Sequence, residues 1–173
     1  MSTLYTDNIR ANNASQITLP TGQKIVGTDS GSVYAPGMVI QTVYYETTTQ
    51  VFGGSNTGTY FDVGMAANIT PKFATSKILV NVTMRLFTQQ GCNAIVRTRR
   101  DTTNIHAIAR YGLSDNEGTV GDGDYYVCHT LDSPATTNQI SYNVQVGRQS
   151  GSNNWYAHLD NDKSTIVLQE VAQ

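Results

Sequence analysis

At 173 residues the chain suits one domain plus an appendage, and its charged fraction of 14% is well under the ~25% usual in globular proteins. Fifteen glycines and many Ser, Thr, Asn and Gln supply the polarity instead, the composition of a neutral, turn-rich β protein. The net charge of −2 creates no positive field for phosphate backbones, and no window nears the ~20 consecutive apolar residues of a membrane helix, so nucleic acid and membrane insertion are excluded as partners.

Residues 1–37 hold few apolar side chains: Leu4, Ile9, Ile17, Leu19, Ile25 and Val26 sit among Asn, Thr, Ser, Gly and Gln. Such a segment cannot bury enough surface to order itself. It is either a flexible tail or an anchor that orders against copies of itself or a neighbouring protein through those six residues. Ile17-Thr18-Leu19 and Lys24-Ile25-Val26 have strand character around the turn-prone Pro20-Thr21-Gly22, which favours the anchor. Gly31 to Gly37, with Pro36, then reads as a hinge. Met1 leads into Ser-Thr-Leu-Tyr-Thr-Asp rather than a basic and then apolar leader, so a protein made and kept in a cytosol unless lysis releases it is expected.

From Met38 onward apolar residues recur at a spacing of two between clusters of Gly, Pro, Asn, Asp and Ser, which is strand periodicity. Strands are predicted over Met38–Tyr45, Tyr60–Ile69, Lys77–Phe87, Ala94–Arg100, Asn104–Tyr111, Tyr125–Leu131, Gln139–Gly147, Trp155–Leu159 and Thr165–Val171. In Lys77–Phe87, Ile78, Val80, Val82, Met84 and Leu86 share one face; in Gln139–Gly147, Ile140, Tyr142, Val144 and Val146 do. Nine strands without an amphipathic helix point to an all-β fold, a jelly-roll β-sandwich head over residues 38–173 behind an extended N-terminal segment. A plain immunoglobulin-like sandwich stays open, although no Trp lies between Cys92 and Cys128.

Chemistry-bearing patterns are sparse. His106, His129 and His158 show no metal-ligand spacing, and Cys92 and Cys128 form no CxxC, so structural histidines and a reduced, buried cysteine pair are expected. No nucleophile elbow or phosphate loop occurs, so neither catalytic residue nor cofactor is assigned and a non-enzymatic role is expected. The acidic stretch offers Asp115, Glu117, Asp122 and Asp124 as a weak calcium candidate on a Gly-rich loop, against the alternative of a solvated loop. Arg97 and Arg99 fall on one strand face and Arg100 on the other. Ten tyrosines include the pairs Tyr44-Tyr45 and Tyr125-Tyr126, beside Trp155-Tyr156. Adjacent rings face opposite ways; core and subunit packing is the plain reading, and Tyr126, Trp155 and Tyr156 are taken as candidates for surface recognition of carbohydrate.

Three stretches carry a family resemblance. Leu19-Pro20-Thr21-Gly22-Gln23-Lys24-Ile25-Val26-Gly27 through Gly37-Met38-Val39-Ile40-Gln41 resembles the stalk-to-head junction of tailed-phage virion structural proteins. Ile69-Thr70-Pro71-Lys72-Phe73-Ala74-Thr75-Ser76-Lys77-Ile78-Leu79-Val80 is similar to a turn and strand of the same heads, and Thr165-Ile166-Val167-Leu168-Gln169-Glu170-Val171 to their last strand. The resemblance implies a homotrimer with a tumour-necrosis-factor-like jelly-roll head, attached to other virion proteins by its N-terminal segment and lying on the virion surface. Such bacteriophage heads serve as capsid decoration or cement proteins, head fibres or tail-fibre tips. The short chain favours a small appendage, with host attachment through a receptor or glycan as the alternative.

Overall fold

The computed structural model describes residues 20–27, 33–54, 57–110 and 122–173, with the side chains of 109, 110 and 122 left out of the description. The chain divides into two units, 1–33 and 34–173. In the first, Gln23 N–H closes a turn on the Pro20 carbonyl at 3.0 Å, and Ile25 and Val26 are exposed. Leu4, Ile9, Ile17 and Leu19 lie outside the described residues.

The second unit begins at Tyr34 rather than Met38, because the Tyr34 ring packs on Phe73 and Gly37 N–H bonds the Ala172 carbonyl at 2.9 Å. Its strands are β1 (Val39–Thr47), β2 (Val51–Gly53), β3 (Tyr60–Ile69), β4 (Lys77–Thr88), β5 (Cys92–Arg100), β6 (Thr103–Arg110), β7 (Asp122–Asp132), β8 (Ile140–Gly151), β9 (Trp155–Ala157) and β10 (Ser164–Val171). A short 3-10 turn, Leu159–Asn161, separates the last two, and no α-helix occurs among the described residues.

All strand pairs are antiparallel and form two sheets. In sheet A, β10 and β9 pair successive parts of β4, β1 covers β10, β2 covers β9, and β7 pairs the other side of β4. Sheet B runs β3-β8-β5-β6. With β1 and β2 counted as one interrupted span, and β9 and β10 as another, the spans run 1-8-3-6 in one sheet and 2-7-4-5 in the other. That is a jelly-roll β-sandwich of eight spans, whose order places the last span beside the first.

The core comes from the alternation. Ile78, Val80, Val82, Met84 and Leu86 of β4 are at most 1% exposed, and Ile166 and Leu168 continue the layer on β10. Ala94, Val96, Tyr142, Val144 and Val146 face them from sheet B. Hydrogen bonds between the sheets finish what apolar contact begins. Tyr126 on β7 and Thr98 on β5 bond through their hydroxyls at 2.9 Å in the core. At the rim, Arg100 Nη1 donates to both Asp132 oxygens at 2.9 and 2.7 Å, and Tyr142 OH donates to Asp132 Oδ2 at 2.7 Å. Arg100 thereby departs from its outward neighbours Arg97 and Arg99, as the alternation requires.

Two buried polar side chains hold the irregular backbone. Glu170, fully buried on β10, accepts Lys72 N–H at 2.7 Å, Phe73 N–H at 3.3 Å and Gln41 Nε2 at 2.6 Å, so its carboxylate shapes the β3–β4 connection. Unmade, those bonds would leave backbone donors unpaired. His158, also fully buried, has a left-handed backbone (φ 57°) at the kink after β9. Its Nε2 lies 2.9 Å from the Val63 carbonyl, which can only accept, so Nε2 carries the proton and Nδ1 accepts from Ser164 Oγ at 2.7 Å. Ser164 Oγ in turn accepts Arg85 N–H at 3.2 Å. Burial holds the His158 imidazole below its ordinary pKa, partly opposed by the bond to Val63.

Two expectations follow. Glu170→Ala should lower the urea midpoint at unchanged slope by the equivalent of about 3 kcal/mol, because charge-assisted bonds are lost and two amides are left unsatisfied; a loss under about 1 kcal/mol would show that the turn is held otherwise. Because the folded pKa of His158 is depressed, its contribution is complete above the unfolded value of 6.5 and is lost as pH falls below it toward the folded pKa. Urea midpoints should therefore fall on mild acidification, and less steeply in His158→Gln; equal slopes in both proteins would refute the assignment.

Candidate functional site

The outer face of sheet A mixes exposed apolar and aromatic side chains with polar ones, whereas that of sheet B is mostly polar. On sheet A the cross-strand rows run Tyr44, Val167, Asn81, His129; then Thr42, Gln169, Leu79, Leu131; then Phe52, Tyr156, Phe87, Gly123. Phe52 is 63% exposed, Leu131 52%, and Tyr125 and Val127 47% each, all on this face. Phe52 stacks on Tyr156 at 5.8 Å between centroids, Tyr156 meets Phe87 at 6.0 Å, and Arg85 lies over the Tyr125 ring at 5.3 Å. Gly123 leaves room for that arrangement, since a Cβ there would stand 2.7 Å from Arg85 Nη2 and 3.3 Å from the Phe87 ring.

Charge on this face is sparse, and apart from Lys77 at the start of β4 it is paired. Arg85 Nε lies 3.5 Å from Asp162 Oδ2. At the β1 rim, Lys163 Nζ meets Glu46 Oε2 at 2.9 Å and Tyr44 OH donates to the same oxygen at 2.6 Å. That hydroxyl, followed by the ammonium, holds the Glu46 carboxyl below its ordinary pKa. His129 Nδ1 lies 2.7 Å from Asn81 Oδ1.

Sheet B presents polar rows: Asp62, Gln145, Arg97 and Ala107, then Ala66, Asn143, Arg99 and Asn104. Arg97 Nε and Nη2 donate to Gln145 Oε1 at 2.8 and 2.5 Å, and Gln145 Nε2 donates to Asp62 Oδ1 at 2.7 Å. The Arg97 guanidinium also covers the Tyr60 ring at 3.7 Å. Beside this network β3 bulges: Asp62 pairs with Gln145, but the next pairing is Ala66 with Asn143. Gly64 takes φ 72° in the bulge, and Asp62, Gly64, Met65, Ala66, Ser141 and Asn143 line a cleft of about 340 Å³ there.

The aromatic candidates divide by parity. Tyr126 is 2% exposed and Trp155 is buried outright, so neither can meet a partner. Tyr126 pairs in register with Met84 and points inward with it, while Trp155 packs on Phe61. Their chain neighbours occupy the outer face instead: Tyr125, which the sequence reading passed over, and Tyr156, which it named. Of the acidic stretch, Asp115 and Glu117 lie outside the described residues, and Asp122 and Asp124 belong to β7 rather than to a loop. Asp124 Oδ1 accepts Tyr125 N–H at 2.7 Å. Among the described residues no group of three or more His, Cys, Asp or Glu side chains gathers to hold a metal. Cys92 and Cys128 are both buried and unbridged, and burial raises the pKa of each thiol.

No family model matches the chain, and no curated protein does. Among solved structures, an infectious bursal disease virus Gt strain structure is similar over 84% of this chain and 36% of its own, at 16% identity and TM-score 0.48. A T13 particle of the same virus is similar over 87% and 40%, at 15% identity and TM-score 0.47. Latent PorU from Porphyromonas gingivalis is similar over 80% and 14%, at 9% identity and TM-score 0.39. The chain thus spans well under half of each of these chains, and at such scores the likenesses carry no argument about partners or activity.

Proposed function

We propose that the protein is a virion structural protein without enzymatic turnover: a small homotrimeric appendage that decorates or stabilises a bacteriophage capsid or forms a short fibre. Self-association is carried by one observation, the apolar outer face of sheet A. Clusters of exposed apolar and aromatic side chains on one face mark interaction sites. Four strands about 4.8 Å apart, along the 12 residues of β4 at about 3.3 Å each, give a whole face of roughly 750 Å², on which Phe52, Tyr125, Val127, Leu131 and Phe87 lie among polar residues such as Asn81, Thr83 and Gln169. That is close to the roughly 800 Å² per partner of a standard stable interface.

A second copy is the favoured occupant because the face carries little uncompensated charge. Its ion pairs, Arg85 with Asp162 and Glu46 with Lys163, are internal to each chain, so copies meet without like-charge repulsion. Tyr125, Tyr156 and Phe52 are the residue types enriched where subunits meet. The virion setting and the threefold order rest on the resemblance of the junction, turn and last-strand segments to phage heads. Glu170 joins all three segments at one point, because it bonds the last strand both to the turn and to Gln41 at the end of the junction. The N-terminal segment would attach the heads to the particle, with Ile25 and Val26 exposed to meet it.

Light scattering behind size exclusion tests the assembly. The wild-type chain should have the mass of three copies, and the double variant Val127→Asp, Leu131→Asp that of one, with its β circular dichroism retained. Both side chains are exposed, so the variant removes no core contact. A wild-type monomer at micromolar concentration would overturn the proposal.

A further inference from the structure

We propose that the cleft at the β3 bulge binds one neutral sugar unit, a hexose or N-acetylhexosamine residue of a surface polysaccharide. The site lies on sheet B, the face opposite the one proposed for self-association, so it stays open in the assembly and the two readings stand independently. Its volume of about 340 Å³ falls in the roughly 300–1,000 Å³ range of small-ligand sites and suits a single pyranose ring rather than a longer chain.

The lining divides as a sugar does. Asp62, Ser141 and Asn143 supply polar groups at the rim, and Gly64 and the exposed Ala66 supply the apolar part of the wall, the Met65 side chain lying in the core beneath them. Asp62 Oδ1 is occupied by Gln145 Nε2, which leaves Oδ2 to accept from a ligand hydroxyl. Asn143 Nδ2 donates to the Asp101 carbonyl at 3.4 Å and its Oδ1 is buried, so the amide forms the floor of the rim rather than an acceptor open to the ligand. The free Asp62 oxygen and the Ser141 hydroxyl suit a ligand that brings several hydroxyls, and the apolar wall receives the C–H face or the acetamido methyl.

The cleft is preformed. Tyr45 OH donates to the Gly64 carbonyl at 2.9 Å and His158 Nε2 to the Val63 carbonyl at 2.9 Å, so two side chains from the sheet A side hold the bulge backbone. Arg97, braced over Tyr60, holds Gln145, which holds Asp62. Little ordering therefore remains to be done when a ligand arrives, which is the condition under which a small site retains affinity.

The test uses the full chain with glucose, galactose, mannose and N-acetylglucosamine as probes, read by saturation-transfer NMR and calorimetry. At least one sugar should bind saturably with a millimolar Kd. Asp62→Asn should weaken it about tenfold, the loss expected for a hydrogen bond to a charged acceptor. Ala66→Phe, at an exposed position, should fill the cleft and abolish binding while leaving the oligomeric mass and the urea midpoint unchanged. Absence of saturable binding by all four sugars would overturn the proposal, as would binding indifferent to both substitutions. A response to calcium alone would do so too, by making the oxygens cation ligands. Loss of the trimer with sugar binding retained would overturn the assembly reading and leave this one standing.

Discussion

The alternation of β4 constrains everything built around it. One set of its side chains, Ile78 to Leu86 in steps of two, fills the space between the sheets, and the other set holds Leu79 and Phe87, which have no sheet to face. A strand buried on one side ordinarily puts polar residues on the other. Sheet B follows that rule with Ser141, Asn143, Gln145, Arg97 and Arg99. Sheet A follows it only in part: Lys77, Asn81, Thr83 and Arg85 keep the rule on β4, Leu79 and Phe87 break it, and β7 and β2 extend the departure with Val127, Leu131 and Phe52. The difference between the faces is thus a property of several strands acting together, which distinguishes a surface that expects a partner from scattered exposed apolar residues.

Where a period ran long and clean, the fold was legible in the sequence. Lys77–Phe87 alternates between apolar and polar over most of its length, and the observed β4 differs from the predicted span by one residue. The short β2 was missed because Val51-Phe52-Gly53 offers too few residues to show a period, and its pairing with β9 is visible only in three dimensions. Asp122 and Asp124 looked like loop acids because Gly-Asp-Gly-Asp suggests a turn, yet β4 is long enough to pair with them and draws the strand out to Asp122. Propensity there yields to an available partner edge.

The aromatic candidates show a different limit. Along β7, Tyr125, Val127, His129 and Leu131 alternate with Tyr126, Cys128, Thr130 and Asp132. Both series are partly apolar, so polarity gives no sign of which is inward, and Tyr126 was chosen where Tyr125 faces solvent. A strand apolar on both faces hides its register for the same reason that it provides an interface. Glu170 hid for the complementary reason: it is an inward carboxylate whose partners, Lys72 and Phe73, are 98 and 97 residues away. Nothing local distinguishes it from a solvated glutamate.

A face of this kind also dictates what sort of assembly can tolerate it. β7 is an edge strand of 11 residues, and its outward Tyr125, Val127 and Leu131 lack the lysines or prolines that commonly blunt such edges. A low charge content weakens the remaining protection against edge-to-edge association. Were copies to meet through unlike patches without closing, the same contact would repeat indefinitely and produce fibres. A closed cyclic arrangement uses the face once per copy and leaves none exposed, so apolar surface and closure have to be selected together. In such an arrangement the polar face of sheet B, with its cleft, is the one left to solvent.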